Sequence, residues 1–184
     1  MTSKASTIVA FAVIACVLSG GAAAREQTPP PKATLEAMFT PGDPIDTRIT
    51  ALIDGAKAEV LVQAFSFTSK KIARALLAAH RRGVRVEILA DRAQTLELAG
   101  SAVPDLARNG VPVWLDANFI AAHNKVVLVD TDTLVTGSYN YTSAAQYKNA
   151  ENVLIVRHDT ALAAQYRDNF ARLRDKAQRY DGKP

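Results

Sequence analysis

What most constrains this chain is an alternation between two hydrophobic periods. Glu59 to Phe65 (EVLVQAF), Arg85 to Ala90 (RVEILA), Val111 to Leu115 (VPVWL), Lys125 to Asp130 (KVVLVD), Thr133 to Thr136 (TLVT) and Asn152 to Val156 (NVLIV) are short and rich in β-branched residues. Such runs predict strands, several of them buried on both faces. Between them, Pro44 to Ala56, Ser69 to Arg82, Leu96 to Asn109 and Thr160 to Lys176 carry apolar residues three and four apart, the period of amphipathic helices. Ser69 is placed to cap one helix, and Gly83 follows Arg81 and Arg82 where that helix should stop. Strands alternating with helices predict one α/β domain whose helices cover both faces of the sheet.

The amino terminus follows another grammar. Met1 to Lys4 carries one positive charge, Ile8 to Leu18 is almost wholly apolar, and Gly20 to Ala24 are all small. The apolar run of about 11 residues is short of the roughly 20 that a membrane helix needs and suits a secretory signal. We therefore expect a signal peptide over 1–24, a Pro-rich extended leader over 25–32 around Pro29, Pro30 and Pro31, and a folded domain over 33–180. An uncleaved anchor is the alternative. Cleavage would remove Cys16, the single cysteine. The expected location is a bacterial periplasm or exterior, with no membrane insertion after cleavage, and stability must then come from the core rather than from disulfides.

Composition narrows the chemistry. A content of 48 % hydrophobic residues with a net charge of +4 excludes a disordered chain. One cysteine excludes a disulfide framework and a thiolate metal cluster within one chain. Imidazole chemistry has three candidates, His80, His123 and His158.

The polar groups concentrate between His123 and Asn140. On a strand, residues two apart share a face, so His123 and Lys125 can point to one place while Asp130, five positions on, falls on the other and suits the bracing of a turn. Thr136-Gly137-Ser138-Tyr139-Asn140 then returns, with Gly137 permitting close backbone approach and Ser138 and Asn140 offering a hydroxyl and an amide. Imidazole, ammonium, hydroxyl and amide together make a receptor for a phosphate diester, and no cofactor or metal is needed to hold its charge. A cation cluster built from Asp130, Asp132 and Glu151 is the rival arrangement.

The spacing His-x-Lys-x4-Asp-x6-Gly-Ser-x-Asn, unbroken from His123 to Asn140, resembles the signature of the phospholipase D superfamily. The wider stretch HNKVVLVDTDTLVTGSYNYTSAAQYKNAENVLIV is similar to the small secreted bacterial endonucleases of that superfamily, which carry one motif per chain. A looser likeness reaches back through VQAFSFTSKKIARALLAAHRRGVRVEILAD, so that it spans roughly Ala33 to Lys176. The resemblance implies a mixed β-sheet flanked by helices on both faces, one domain per chain, working as a homodimer. It implies His123 as nucleophile through a phosphohistidine, with the same residue of a second chain protonating the leaving oxygen. Lys125, Ser138 and Asn140 would bind the nonbridging oxygens. Asp130 would be chiefly structural, and Glu151 would hydrogen-bond the catalytic imidazole, by expectation across the dimer interface.

Two displacements on one phosphorus need a nucleophile and a separate acid on opposite sides, and only His123 has the right neighbours. A two-fold homodimer would supply the pair. The alternative, an acid from His80 or His158, places its proton donor on a residue that reads as peripheral. For substrate, Lys70, Lys71, Arg74, Arg81, Arg82 and Arg85, with Arg167, Arg172, Arg174, Lys176 and Arg179, suggest a phosphate-binding surface, against the alternative of an ordinary solvated face. Tyr139, Tyr141 and Tyr147 could stack on bases, though packing is expected of at least two. No long apolar loop suggests lipid binding. The expectation is thus a metal-independent endonuclease acting on DNA, with RNA as a further candidate substrate. A phospholipase and a non-catalytic nucleic-acid-binding module are the alternatives.

Overall fold

A computed structural model describes residues 31–183 of the chain. The expected signal peptide and all but the end of the leader lie outside the described residues.

The elements in chain order are β1 (Thr34–Thr40), α1 (Ile45–Gly55), β2 (Glu59–Ala64), α2 (Lys70–Arg81), β3 (Arg85–Asp91), α3 (Arg92–Leu96), α4 (Val103–Arg108), β4 (Val113–Asp116), β5 (Lys125–Val129), β6 (Thr133–Gly137), α5 (Ser143–Tyr147), β7 (Glu151–Arg157), α6 (Thr160–Arg174) and β8 (Gln178–Tyr180). The strands form one sheet in the order β1-β7-β6-β5-β2-β3-β4-β8. The β2–β3 and β3–β4 pairs are parallel and the rest antiparallel, so the sheet is mixed.

The uninterrupted apolar strands are explained by two cores. On β5, Val127 and Val129 join the cluster packed under α1, α2 and α4, while Val126 and Leu128 join the cluster under α6. Both faces of the central strands are therefore covered, which is why they lack polar alternation. On α1, Ile45, Ile49 and Ile53 repeat at four-residue spacing and are fully buried, each contributing about 1.5–3 kcal/mol. No helix among the described residues is long and apolar enough to cross a membrane.

Ser69 caps α2 through a bond from the Ile72 amide at 3.3 Å, and Gly83 follows that helix with φ at +88°. The expected helix over Leu96 to Asn109 is instead two short ones, α3 and α4, separated by a break. Gly100 takes φ at +79° there, and Pro104 in the first turn of α4 has no amide to continue a helix from upstream. Three elements carried no signal long enough to be read: β1, whose outer face is largely exposed, the five-residue α5, and the three-residue β8.

Candidate active site

The motif residues collect at one end of the sheet because β2 ends there while β5 and β7 begin there. Ala64 pairs with Lys125, and Gly137 with Val153, so the close of β2, the start of β5, the end of β6 and the start of β7 lie side by side. His123 precedes β5 rather than lying on it, and its side chain is exposed. Strand alternation therefore does not aim it. Its neighbour does: the Phe65 ring, just past β2, stands 4.4 Å from the His123 ring, centroid to centroid, and 4.8 Å from Lys125 Nζ.

Lys125 is buried, and its Nζ donates to the His123 carbonyl oxygen at 2.8 Å. Burial lowers its pKa, and the nearby Glu151 carboxylate opposes that shift. A desolvated ammonium held against the His123 backbone is suited to an anion's charge, since few waters compete for it.

Ser138 Oγ donates to Glu151 Oε2 at 2.6 Å and accepts from the Asn152 amide at 3.1 Å. Asn149 Nδ2 donates to the other Glu151 oxygen at 2.9 Å. Among the described residues, Glu151 makes no hydrogen bond to His123. Asn140 uses its side-chain oxygen to accept from the Ser66 amide at 3.4 Å. Its amide group thereby remains the donating end. Gly137 is required by crowding: a Cβ there would stand 2.2 Å from the Asn152 carbonyl oxygen. Asp130 lies at the other end of β5 with φ at +51°, and its carboxylate accepts from the amides of Lys57, Ala58 and Glu59 at 2.7–3.1 Å. It braces the entry to β2.

Several groups fall elsewhere. His158 Nδ1 lies 2.9 Å from Asp132 Oδ2 beside the β5–β6 turn, and His80 sits in the last turn of α2, both at the opposite end of the sheet. Asp130 and Asp132 are separated from Glu151 by the length of the strands, so the three carboxylates do not converge. Tyr139 and Tyr141 are buried, and Tyr147 is exposed.

The suggested basic surface is largely consumed by internal partners. Arg82 caps α1 at the Ile53 and Asp54 carbonyls, Arg85 pairs with Glu59 and Glu87, Arg167 with Glu59, and Arg174 with Glu87. Lys71 pairs with Asp46, Arg172 bonds Asn169, and Arg179 bonds the Val113 carbonyl while lying over Trp114. The Glu59–Glu87 network also lies at the far end of the sheet from Lys125. These cations hold the fold together, so counting them as a phosphate footprint overstates it.

Sequence reasoning did not single out two contributors, Phe65 and Asp91, or the exposed tip that lies beside the site. Phe65 was read only as the end of an apolar run. Asp91 bonds the Ala122 amide at 2.8 Å and so fixes the approach to His123. Phe119 and Ile120 form a short apolar tip, 54 % and 108 % exposed, four and three residues before His123. An aromatic closing a central strand and an acid ending the next were the available signals.

The family model described as cardiolipin synthase, PLD-like domain, matches residues 49–174. The chain belongs to the phospholipase D superfamily. It is similar to a phospholipase D of Rickettsia bellii, 35 % identical over 154 residues that cover 78 % of this chain and 76 % of that one. A mitochondrial cardiolipin hydrolase of Xenopus laevis is 36 % identical over 127 residues, 69 % of this chain and 60 % of its own. Among solved structures, the phospholipase D family member Nuc from Salmonella typhimurium superposes with a TM-score of 0.77 at 32 % identity, over 81 % of this chain and 99 % of that chain. NucT from Helicobacter pylori shares the fold at a TM-score of 0.73 and 20 % identity. The present chain is accordingly a phosphodiesterase of the phospholipase D superfamily, with the motif at its sheet end, and the reading as a non-catalytic module is set aside.

Proposed function

We propose that this phosphodiesterase cleaves nucleic acid, DNA first, through a phosphohistidine on His123 at a site shared by two copies of the chain. The observation that carries it is the exposed His123 ring beside the buried Lys125 ammonium on one Phe65 wall. An imidazole nitrogen of His123 attacks phosphorus, the bond to the leaving oxygen breaks, and His123 of the second copy gives that oxygen a proton. Water then attacks phosphorus, passes its proton to the second imidazole, and the P–N bond breaks. Lys125 and the Asn140 amide offset charge on the nonbridging oxygens throughout. No step calls for a metal.

Three features support two copies. His80 and His158 lie away from the site, and Glu151 does not reach His123 within its own chain. Leu35, Phe39 and Leu154 are exposed on β1 and β7, beside Glu151, where a second copy would cover them. The signal-like sequence over 1–24 supports export to a periplasm or exterior.

Phospholipid is the second reading, favoured by the Phe119–Ile120 tip and by the names of the relatives above. Purified protein in excess chelator, offered plasmid DNA and labelled cardiolipin or phosphatidylcholine, separates the two. Cleavage of DNA with acid-labile phosphate trapped on the protein is expected. Cleavage of lipid alone would replace the first reading by the second, and loss of all activity in chelator would overturn the metal-free mechanism.

A further inference from the structure

The loop between β4 and β5 is held at both ends. Asn118 donates its amide and its side-chain nitrogen to Asp116 Oδ1 at 2.9 and 3.0 Å, and the same nitrogen reaches the Lys176 carbonyl at 3.0 Å. At the other end the Ala122 amide is bonded to Asp91. Both aspartates are buried. Between these anchors stand Phe119 and Ile120, presented outward on a fixed loop. Three residues of chain keep Ile120 within roughly 11 Å of His123, Cα to Cα.

The surroundings are cationic. Arg92 directly follows the Asp91 anchor, and Lys176 supplies the other anchor's carbonyl. Arg92, Arg179 and Lys183 line a neighbouring cleft of about 510 Å³ together with Leu96, itself 41 % exposed, and the one acid Asp181, which pairs with Lys183. Among the described residues Arg92 enters no ion pair, in contrast to the arginines at the far end of the sheet.

We propose that this apolar tip and its cationic surround dock the protein on an anionic lipid surface, with Phe119 and Ile120 entering the acyl boundary and Arg92 and Lys183 meeting the headgroups. The pattern of apolar side chains flanked by basic ones is what binds proteins to such surfaces. Two other occupants fit less well. A second copy meeting this face across a two-fold axis would set these cations against their own duplicates. Nucleic acid would complement the charge and could stack a base on Phe119, but the more exposed Ile120 and Leu96 are aliphatic and gain more from an acyl boundary than from a base. Docking concerns where the enzyme sits, and it holds whichever phosphodiester is cleaved.

Flotation of the full chain with vesicles tests it, with turnover of a soluble chromogenic phosphodiester measured in parallel. The wild type is expected to float with vesicles rich in phosphatidylglycerol and not with pure phosphatidylcholine. Phe119→Ser with Ile120→Ser should weaken that binding by about 10-fold or more. Arg92→Gln and Lys183→Gln should each weaken it by about five-fold and blunt its salt dependence. Because both tip residues are exposed, soluble turnover should persist in the double variant. Absence of vesicle binding by the wild type, or equal binding by the double variant, overturns docking. So does a double variant that loses plasmid binding or self-association while its vesicle binding is unchanged. Loss of soluble turnover by the wild type would instead count against the phosphodiesterase mechanism.

Discussion

Ser138 donates its hydroxyl to the Glu151 carboxylate at 2.6 Å, tying the end of β6 to the start of β7 across the floor of the site. The same carboxylate is the influence that holds up the pKa of Lys125 against burial. These links predict a pH effect. In the proposed mechanism the protonated lysine is the form that binds phosphate, and its pKa is already lowered. Glu151→Gln removes the opposing charge, so the pKa falls further and the cation is lost at lower pH. The alkaline limb of kcat/KM on a soluble phosphodiester should therefore move toward neutrality. A limb that stays in place would show that Lys125 titration does not govern it.

A shared site predicts behaviour of mixtures. When His123→Ala chains are dissociated and reassociated with an equal amount of wild type, mixed dimers hold one imidazole and cannot complete both displacements. Activity per wild-type chain should fall to about half. Full retention would mean that each chain works alone.

Asp130 should matter for folding and not for chemistry. Asp130→Ala strips a charged acceptor from the exposed Lys57 and Ala58 amides and the part-buried Glu59 amide, which costs about 1–3 kcal/mol. In a domain of this size the Tm should drop by roughly 2–12 °C. Turnover per folded molecule should remain near wild type, as calorimetry and active-fraction titration would report.

Gly137→Ala should harm both. The new methyl meets the Asn152 carbonyl oxygen, which is backbone and cannot swing aside. Separating β6 from β7 should cost about 1–3 kcal/mol and displace Ser138 relative to Glu151. A thermal melt and a turnover assay on the same sample should both decline; unchanged values would mean that the strands accommodate the methyl.

Much of this was legible from residue order. Helix periodicity placed α1, α2 and α6, and apolar runs placed β2 through β7, because burial on both faces removes polar residues from a strand. The break between α3 and α4 was not legible as a break, since apolar spacing continues across Gly100 and Pro104 while the backbone cannot. Edge strand β1 was missed for a different reason: apolar Leu35, Ala37 and Phe39 lie on its exposed face while Glu36 and Thr40 share the other face with Met38, so it lacks the apolar-in, polar-out alternation of a half-buried strand.

The sequence by itself determined which side chains could carry phosphodiester chemistry, because the spacing from His123 to Asn140 places the required groups on adjoining segments. Only the tertiary structure decided what surrounds them. Phe65 aligns His123 with Lys125, Asp91 fixes the loop that presents Phe119 and Ile120, and Glu59 and Glu87 absorb arginines that residue order left free for substrate. Each of these pairings joins residues far apart in the chain, through the packing of strands against one another. Local periodicity reports which face a residue takes and carries no information about what it meets there.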